Sequence, residues 1–208
     1  MHRLPYLQST VLCGLFIVMP AMLHAQTGKA EDTRKLERAL DYFSGQKYHE
    51  ALLLLAALDR QYALNPRFKA YLGMCYYHEW EYDKACLYLD ECIPQLEAFS
   101  PQERGVYYHA AAESHFMLGQ YTEAIPLYER RLVVCHADER ADVLFHLGCC
   151  HLFTGNGQAA AEYLQASLSC YEAYPVEGRQ NRITQISKMV RTLQQTEAKT
   201  DKSPSYTQ

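Results

Sequence analysis

No stretch of the sequence concentrates lysine and arginine. The chain carries 20 Lys and Arg against 24 Asp and Glu, interspersed, for a formal charge of −4. Phosphate backbones are bound by clustered cations, so nucleic acid is excluded as the main partner. A glycine-rich phosphate loop, a nucleophile elbow and a paired zinc-ligand motif are also lacking. No catalytic residue, metal site or cofactor is therefore assigned, and enzymatic activity is not expected. Tryptophan occurs once, against 17 tyrosines. No apolar run is long enough to cross a bilayer as a helix.

What is present begins with a targeting signature. Arg3 supplies a positive start, Val11 to Met19 is an apolar run, and Pro20 interrupts it. Ala25-Gln26 then offers a small-residue cleavage point. This is the layout of a secretory signal peptide, assigned to residues 1–25. It implies a periplasmic or secreted protein with no transmembrane segment after cleavage. Removing Arg3 leaves 19 Lys and Arg against 24 acids, so the mature charge becomes −5. The mature chain keeps Cys75, Cys86, Cys92, Cys135, Cys149, Cys150 and Cys170. An odd number in an exported protein leaves at least one thiol free or paired between chains. With hydrophobic residues at 49%, the core is too good and the cysteines too few for a disulfide-held miniprotein.

One block recurs four times. Its anchor is Ala51, Ala85, Ala124 and Ala160, at spacings of 34, 39 and 36. Four residues after each anchor stands a large side chain: Leu55, Leu89, Tyr128, Leu164. Twelve before is a small one: Ala39, Gly73, Ala112, Gly148. Nine before is a ring: Tyr42, Tyr76, His115, His151. A small residue lets two helix backbones approach, and a large residue one turn on fills the space. Turn signals at Ser44-Gly45, Trp80-Glu81, Gly119-Gln120 and Gly155-Asn156-Gly157 separate the paired helices. Asp83 and Thr122 are the expected N-caps of second helices. Asn65-Pro66 and Ser100-Pro101-Gln102-Glu103 read as starts of first helices, the latter as a capping box that explains the five extra residues. Pro94 is expected to kink or shorten its helix. Pro126 is tolerated near a helix start.

Leu72-Gly73, Tyr76, Tyr82, Ala85 and Leu89 resemble the tetratricopeptide repeat signature. So do Ala111-Ala112, Tyr121, Ala124 and Tyr128, and Leu147-Gly148, Ala160 and Leu164. The resemblance implies an all-α, right-handed α-solenoid of about four helical hairpins over residues 26–174, with repeats near 32–65, 66–99, 105–138 and 141–174. Ile183, Ile186, Val190 and Leu193 recur at helical spacing. They read as a capping helix over 176–196 that covers the last repeat. The polar residues 197–208 are expected to be a disordered tail.

In this family the first helix of each repeat lines a concave groove through block positions 2, 5, 9, 12 and 13. In the first block these positions hold Thr33, Leu36, Leu40, Phe43 and Ser44. In the second they hold Arg67, Ala70, Met74, Tyr77 and His78. The third gives Val106, His109, Glu113, Phe116 and Met117, and the fourth Asp142, Phe145, Cys149, Leu152 and Phe153. An apolar and aromatic set of this kind marks a partner site when exposed, and the expectation is an open face with Met74, Tyr77, Phe116 and Phe153 accessible. The alternative is that the stripe is core, or is covered by the C-terminal helix. The lysine, asparagine and arginine residues with which family members clamp a terminal carboxylate are absent at positions 5 and 9.

Cys75 and Cys86 fall opposite each other in an antiparallel hairpin, so either a disulfide or two buried thiols is expected there. His146, Cys149, Cys150 and His151 cluster, but their spacing matches no ligand motif and they read as packing residues. The resemblance thus implies a non-enzymatic scaffold or adaptor of the cell envelope or secreted space that binds a protein or peptide partner. Self-association into a larger envelope complex is the alternative.

Overall fold

The computed structural model describes residues 29–175 and 177–200, so the expected signal peptide lies outside the described residues. Among the described residues all regular structure is helical. The chain divides into two compact units, one ending at Ala63 and one beginning at Leu64.

The first unit is a single hairpin of α1 (29–44) and α2 (Tyr48–Tyr62). Ala39, the small residue of the repeat, and the pair Ala51 and Leu55 are fully buried. The Tyr62 hydroxyl donates to the Asp32 carboxylate, tying the end of α2 to the start of α1. Phe43 meets the Tyr48 ring edge-on at the turn.

The second unit holds α3 (Pro66–His78), α4 (Tyr82–Cys92), α5 (Pro101–Met117), α6 (Tyr121–Val134), α7 (Arg140–Phe153), α8 (Gly157–Ala173) and α9 (Gln180–Thr200). The helices α3 and α4, α5 and α6, and α7 and α8 form hairpins, and α4 packs on α5, α6 on α7 and α8 on α9. Three hairpins and a final helix thus stack in series.

All four hairpin turns are closed the same way. Lys47 N–H donates to Tyr42 O at 2.8 Å, Glu81 to Tyr76 at 3.0 Å, Gln120 to His115 at 2.9 Å and Asn156 to His151 at 2.8 Å. These six-to-one bonds end the first helix on a left-handed residue. That residue is Gln46, Trp80, Gly119 or Gly155, with φ of 57°, 63°, 73° and 82°. The ring position of the repeat therefore supplies the accepting carbonyl. The chain turns helical immediately after this bond, so α4 and α6 begin at Tyr82 and Tyr121. Asp83 and Thr122 are not N-caps; they lie inside the first turn, where the Asp83 charge still favours the helix N-terminus. Glu81 and Gln120 hold the cap positions without side-chain bonds.

The small-to-large pairing behaves as the spacing predicts. The four anchor alanines and Leu55, Leu89, Tyr128 and Leu164 are all fully buried. A Cβ on Gly73 would lie 2.8 Å from Leu89 Cγ, and one on Gly148 would lie 2.6 Å from Leu164 Cγ. Asn65 Oδ1 accepts from Phe68 N–H at 3.2 Å and Ser100 Oγ from Glu103 N–H at 3.2 Å, capping α3 and α5 ahead of their prolines. The reciprocal half of the capping box is replaced, because the Glu103 carboxylate reaches Arg67 at 3.4 Å. Pro94 lies in a short 3-10 turn, Ile93–Gln95, and α4 stops at Cys92. Pro126 sits inside α6 without ending it.

The last helix is displaced relative to the sequence reading. It starts at Gln180 and runs through 197–200, the first residues of the expected tail; residues 201–208 lie outside the described ones. Ile186 and Val190, fully or nearly buried, pack with Leu164 and Tyr171, and Ile183 and Leu193 flank them.

Candidate partner-binding surface

The first helices α3, α5 and α7 carry the residues expected to line a groove, and the structure divides that set. At block positions 5 and 9, Ala70 and Met74 are buried at 0% and 6% exposure, and Phe145 and Cys149 at 7% and 6%. The reason is the neighbouring first helix. α3 packs beside α5. Phe145 and Cys149 join the cluster built around Ile186 and Val190 of α9, and the Arg182 guanidinium lies 4.2 Å over the Phe145 ring. Met74, expected to be accessible, is core. Position 12 and 13 residues, nearer the hairpin turns, are more open: Tyr77 and Phe116 are half-buried, and His78, Met117 and Phe153 are exposed. Of the flanking positions, Arg67 and Val106 are exposed and Asp142 and Leu152 half-buried. In the first unit Leu36, Leu40 and Phe43 are half-buried, and Thr33 and Ser44 exposed.

The open residues form an aromatic ledge. Tyr121 and Phe153 stack with centroids 4.5 Å apart, and Phe116 meets both edge-on at 5.3 and 6.3 Å. Met117 and Phe153 are each 57% exposed. Phe116 also meets the His146 ring at 5.4 Å, which carries the ledge to a polar centre.

That centre is a network across α5, α6 and α7. The Tyr128 hydroxyl donates to Glu113 Oε1 at 2.6 Å, and His146 Nε2 lies 3.4 Å from the same oxygen. The His146 ring stacks on Tyr128, and its Nδ1 donates to the Asp142 carbonyl at 2.9 Å. His109 faces Tyr77 edge-on at 6.4 Å. Burial holds the His109 imidazole below its usual pKa, against the opposing pull of Glu113. Burial, then Glu113, pushes the Tyr77 phenol up to about 12. Asp142 Oδ1 accepts from Tyr171 and from Arg179, both at 2.5 Å. A cavity of about 280 Å³ opens here, lined by His109, Tyr128, Arg131, Asp138, Glu139, Asp142, Val143, His146 and Arg179.

The sequence reading placed His109, Glu113 and Asp142 on this face but missed Tyr128, Arg131, His146 and Arg179 as members of one site. Tyr128 carried a signal. It is the only hydroxyl in a column otherwise occupied by leucine, and a buried phenol needs a partner. Arg131 sits on a second helix and Arg179 before the final one, so the first-helix rule could not reach them.

Cys75 and Cys86 are separate, buried, free thiols, and the disulfide considered for them is not formed. Burial pushes Cys75 and Cys150 up to about 12 and Cys149 to about 11, which leaves all three protonated and weakly nucleophilic at neutral pH. The His146, Cys149, Cys150 and His151 side chains diverge. Cys149 packs toward α9, Cys150 is fully buried, and His151 stacks on Tyr163.

The tetratricopeptide repeat family model matches residues 36–101 and 109–176, more than half of the chain. The chain belongs to the tetratricopeptide repeat family. Among solved structures, MamA from AMB-1 is similar at 15% identity and a TM-score of 0.57, over 80% of this chain and 93% of that one. The apo form of RapI is similar at 11% identity and a TM-score of 0.57, over 81% of this chain and 65% of that one. The nearly identical repeats of a kinesin light chain from Podospora anserina are similar at 16% identity and a TM-score of 0.52, over 80% and 96%. These likenesses establish a shared fold. No curated protein is a recognisable sequence relative of this repeat protein.

Proposed function

We propose that this tetratricopeptide repeat protein is a non-enzymatic adaptor that holds a segment of a partner protein against the turn-proximal part of its first helices. The observation that carries the reading is the ledge of Phe116, Tyr121 and Phe153, in which Phe153 remains 57% exposed, with Met117, next to Phe116 in the chain, equally exposed. Contiguous apolar surface of this kind costs solvation unless a partner covers it, and methionine and aromatic side chains supply large, adaptable contact area. The family's stacked hairpins serve widely as partner-binding scaffolds, which supports the same reading. Residues 1–25, with their positive start and apolar run, support export to the periplasm or extracellular space.

The test compares affinity capture from the source envelope fraction by the wild-type protein and by Phe153→Glu. A partner retained by the first and lost by the second, with helical content unchanged, supports the reading. Identical captured proteins from both would remove the ledge from consideration. Light scattering showing a stable homo-oligomer that Phe153→Glu dissociates would replace it with a self-assembling envelope subunit. Amino-terminal sequencing of the protein recovered from its source should begin at Gln26, and a retained Met1 would refute cleavage there.

A further inference from the structure

The cavity beside the ledge has a charge asymmetry that bears on what the adaptor holds, and this inference rests on the ledge being a partner site. Asp138, Glu139 and Asp142 line it against Arg131 and Arg179, with Glu113 directly behind Tyr128 and His146. Each arginine is ion-paired to one lining carboxylate, while the Arg131 Nε stays buried without a hydrogen-bond partner among the described residues: Arg131 Nη2 is 2.7 Å from Glu139 Oε2, and Arg179 Nη1 is 2.5 Å from Asp142 Oδ1.

The carboxylates are used one oxygen at a time. Glu113 Oε1 takes both Tyr128 and His146. Glu139 Oε2 takes both Arg131 and the His136 N–H. Asp142 Oδ1 takes both Tyr171 and Arg179. An ionised carboxylate offers about four acceptor sites over its two oxygens, so the second oxygen of each retains its capacity. Asp138 is exposed at the rim, with no ion pair among the described residues. Burial holds the His109 imidazole below its usual pKa, which limits the positive charge it sets against these carboxylates. The chain as a whole is acidic, which steers cationic ligands toward it.

His146 joins the two features: it lines the cavity and touches Phe116 of the ledge. From this juxtaposition we infer that the partner segment is basic and amphipathic, placing an arginine or lysine side chain in the acid-lined cavity and an apolar side chain on the Phe116–Phe153 ledge. A volume of about 280 Å³ accommodates one long side chain and excludes a folded element. Specificity then comes from the charged side chain and contact area from the ledge.

The experiment is panning of a phage-displayed library of random dodecapeptides on the full chain, followed by anisotropy titration of the enriched peptides labelled with fluorescein. The expected consensus pairs Arg or Lys with aromatic or aliphatic residues. Affinity should fall up to about fivefold in Asp138→Lys, the magnitude of one exposed ion pair, and the wild-type affinity should fall with added salt. Asp138 lies at the rim, so this variant leaves folding intact. A neutral or acidic consensus that is still lost in Phe153→Glu would overturn the charge inference and leave the ledge standing. Enrichment no greater on the wild type than on Phe153→Glu would overturn the ledge as well.

Discussion

His115 Nε2 on α5 lies 3.0 Å from Asp90 Oδ2 on α4, across the seam between consecutive hairpins. Its Nδ1 is 2.7 Å from Gln120 Oε1. With an oxygen acceptor on each side, both ring nitrogens carry protons, and a buried imidazolium bridges the repeats. The Asp90 carboxylate, aided by Cys86 and Gln120, pushes this group up to about 10, against the cost of burial. In the unfolded chain the imidazole titrates near its ordinary value of about 6.5. Its contribution is therefore complete below that pH and is lost as pH rises toward 10. Asp90→Asn should lower stability by about 1–2 kcal/mol at pH 6. Urea denaturation across pH should show the gap between wild type and variant closing by pH 10; a gap that widened with pH would refute the imidazolium.

The close approach at Gly148 predicts that its replacement destabilises. Alanine is the better helix former by up to about 1 kcal/mol, yet the added methyl would meet Leu164 Cγ at 2.6 Å. Overpacking costs about 1–3 kcal/mol, so the steric effect wins. Gly148→Ala should lower the thermal midpoint, and adding Leu164→Val should recover part of the loss. If Gly148→Ala alone raised the midpoint, the packing account would be wrong.

Phe145 and Phe153 should respond oppositely to charge. Both belong to the expected groove, but Phe145 is 7% exposed under α9 and Phe153 is 57% exposed. Phe145→Lys buries an ammonium beside the Arg182 guanidinium and should unfold the last hairpin. Phe153→Glu should change stability by less than about 1 kcal/mol. Far-ultraviolet circular dichroism with thermal melts distinguishes the two.

Thiol labelling should report the packing of α9. Cys149 is 6% exposed and held near 11, so it should react slowly with a disulfide reagent in the folded chain. Cys135 and Cys170, both half-buried, should react first. Ending the chain at Pro175 removes Ile186 and Val190 from the cluster. Cys149 should then join the fast class, as read by mass spectrometry of labelled peptides, and unchanged labelling would show that α9 does not shield it.

The hairpins were legible because the constraints that make them are local. A fixed distance from Gly73 or Gly148 to its large partner encodes a backbone approach, and the sequence carries that distance directly. Helix starts at Tyr82 and Tyr121 were misplaced because a backbone six-to-one bond, not a side-chain cap, sets them. The binding face was only half legible. Helical position says which way Phe145 and Phe153 point, but not that α9 covers one of them. The cavity gathers Tyr128, Arg131 and Arg179 from second helices and a connecting segment, and no single-helix pattern registers such a convergence.

The outward side of α9 carries Thr184, Gln185, Lys188 and Arg191, all exposed. Within the second unit each hairpin packs a greasy seam against the next element, α4 on α5, α6 on α7 and α8 on α9, whereas this surface offers water-loving side chains. A wettable face of this kind needs no further hairpin to shield it, so exchanging these residues for other polar ones should leave the melting of the stack unchanged.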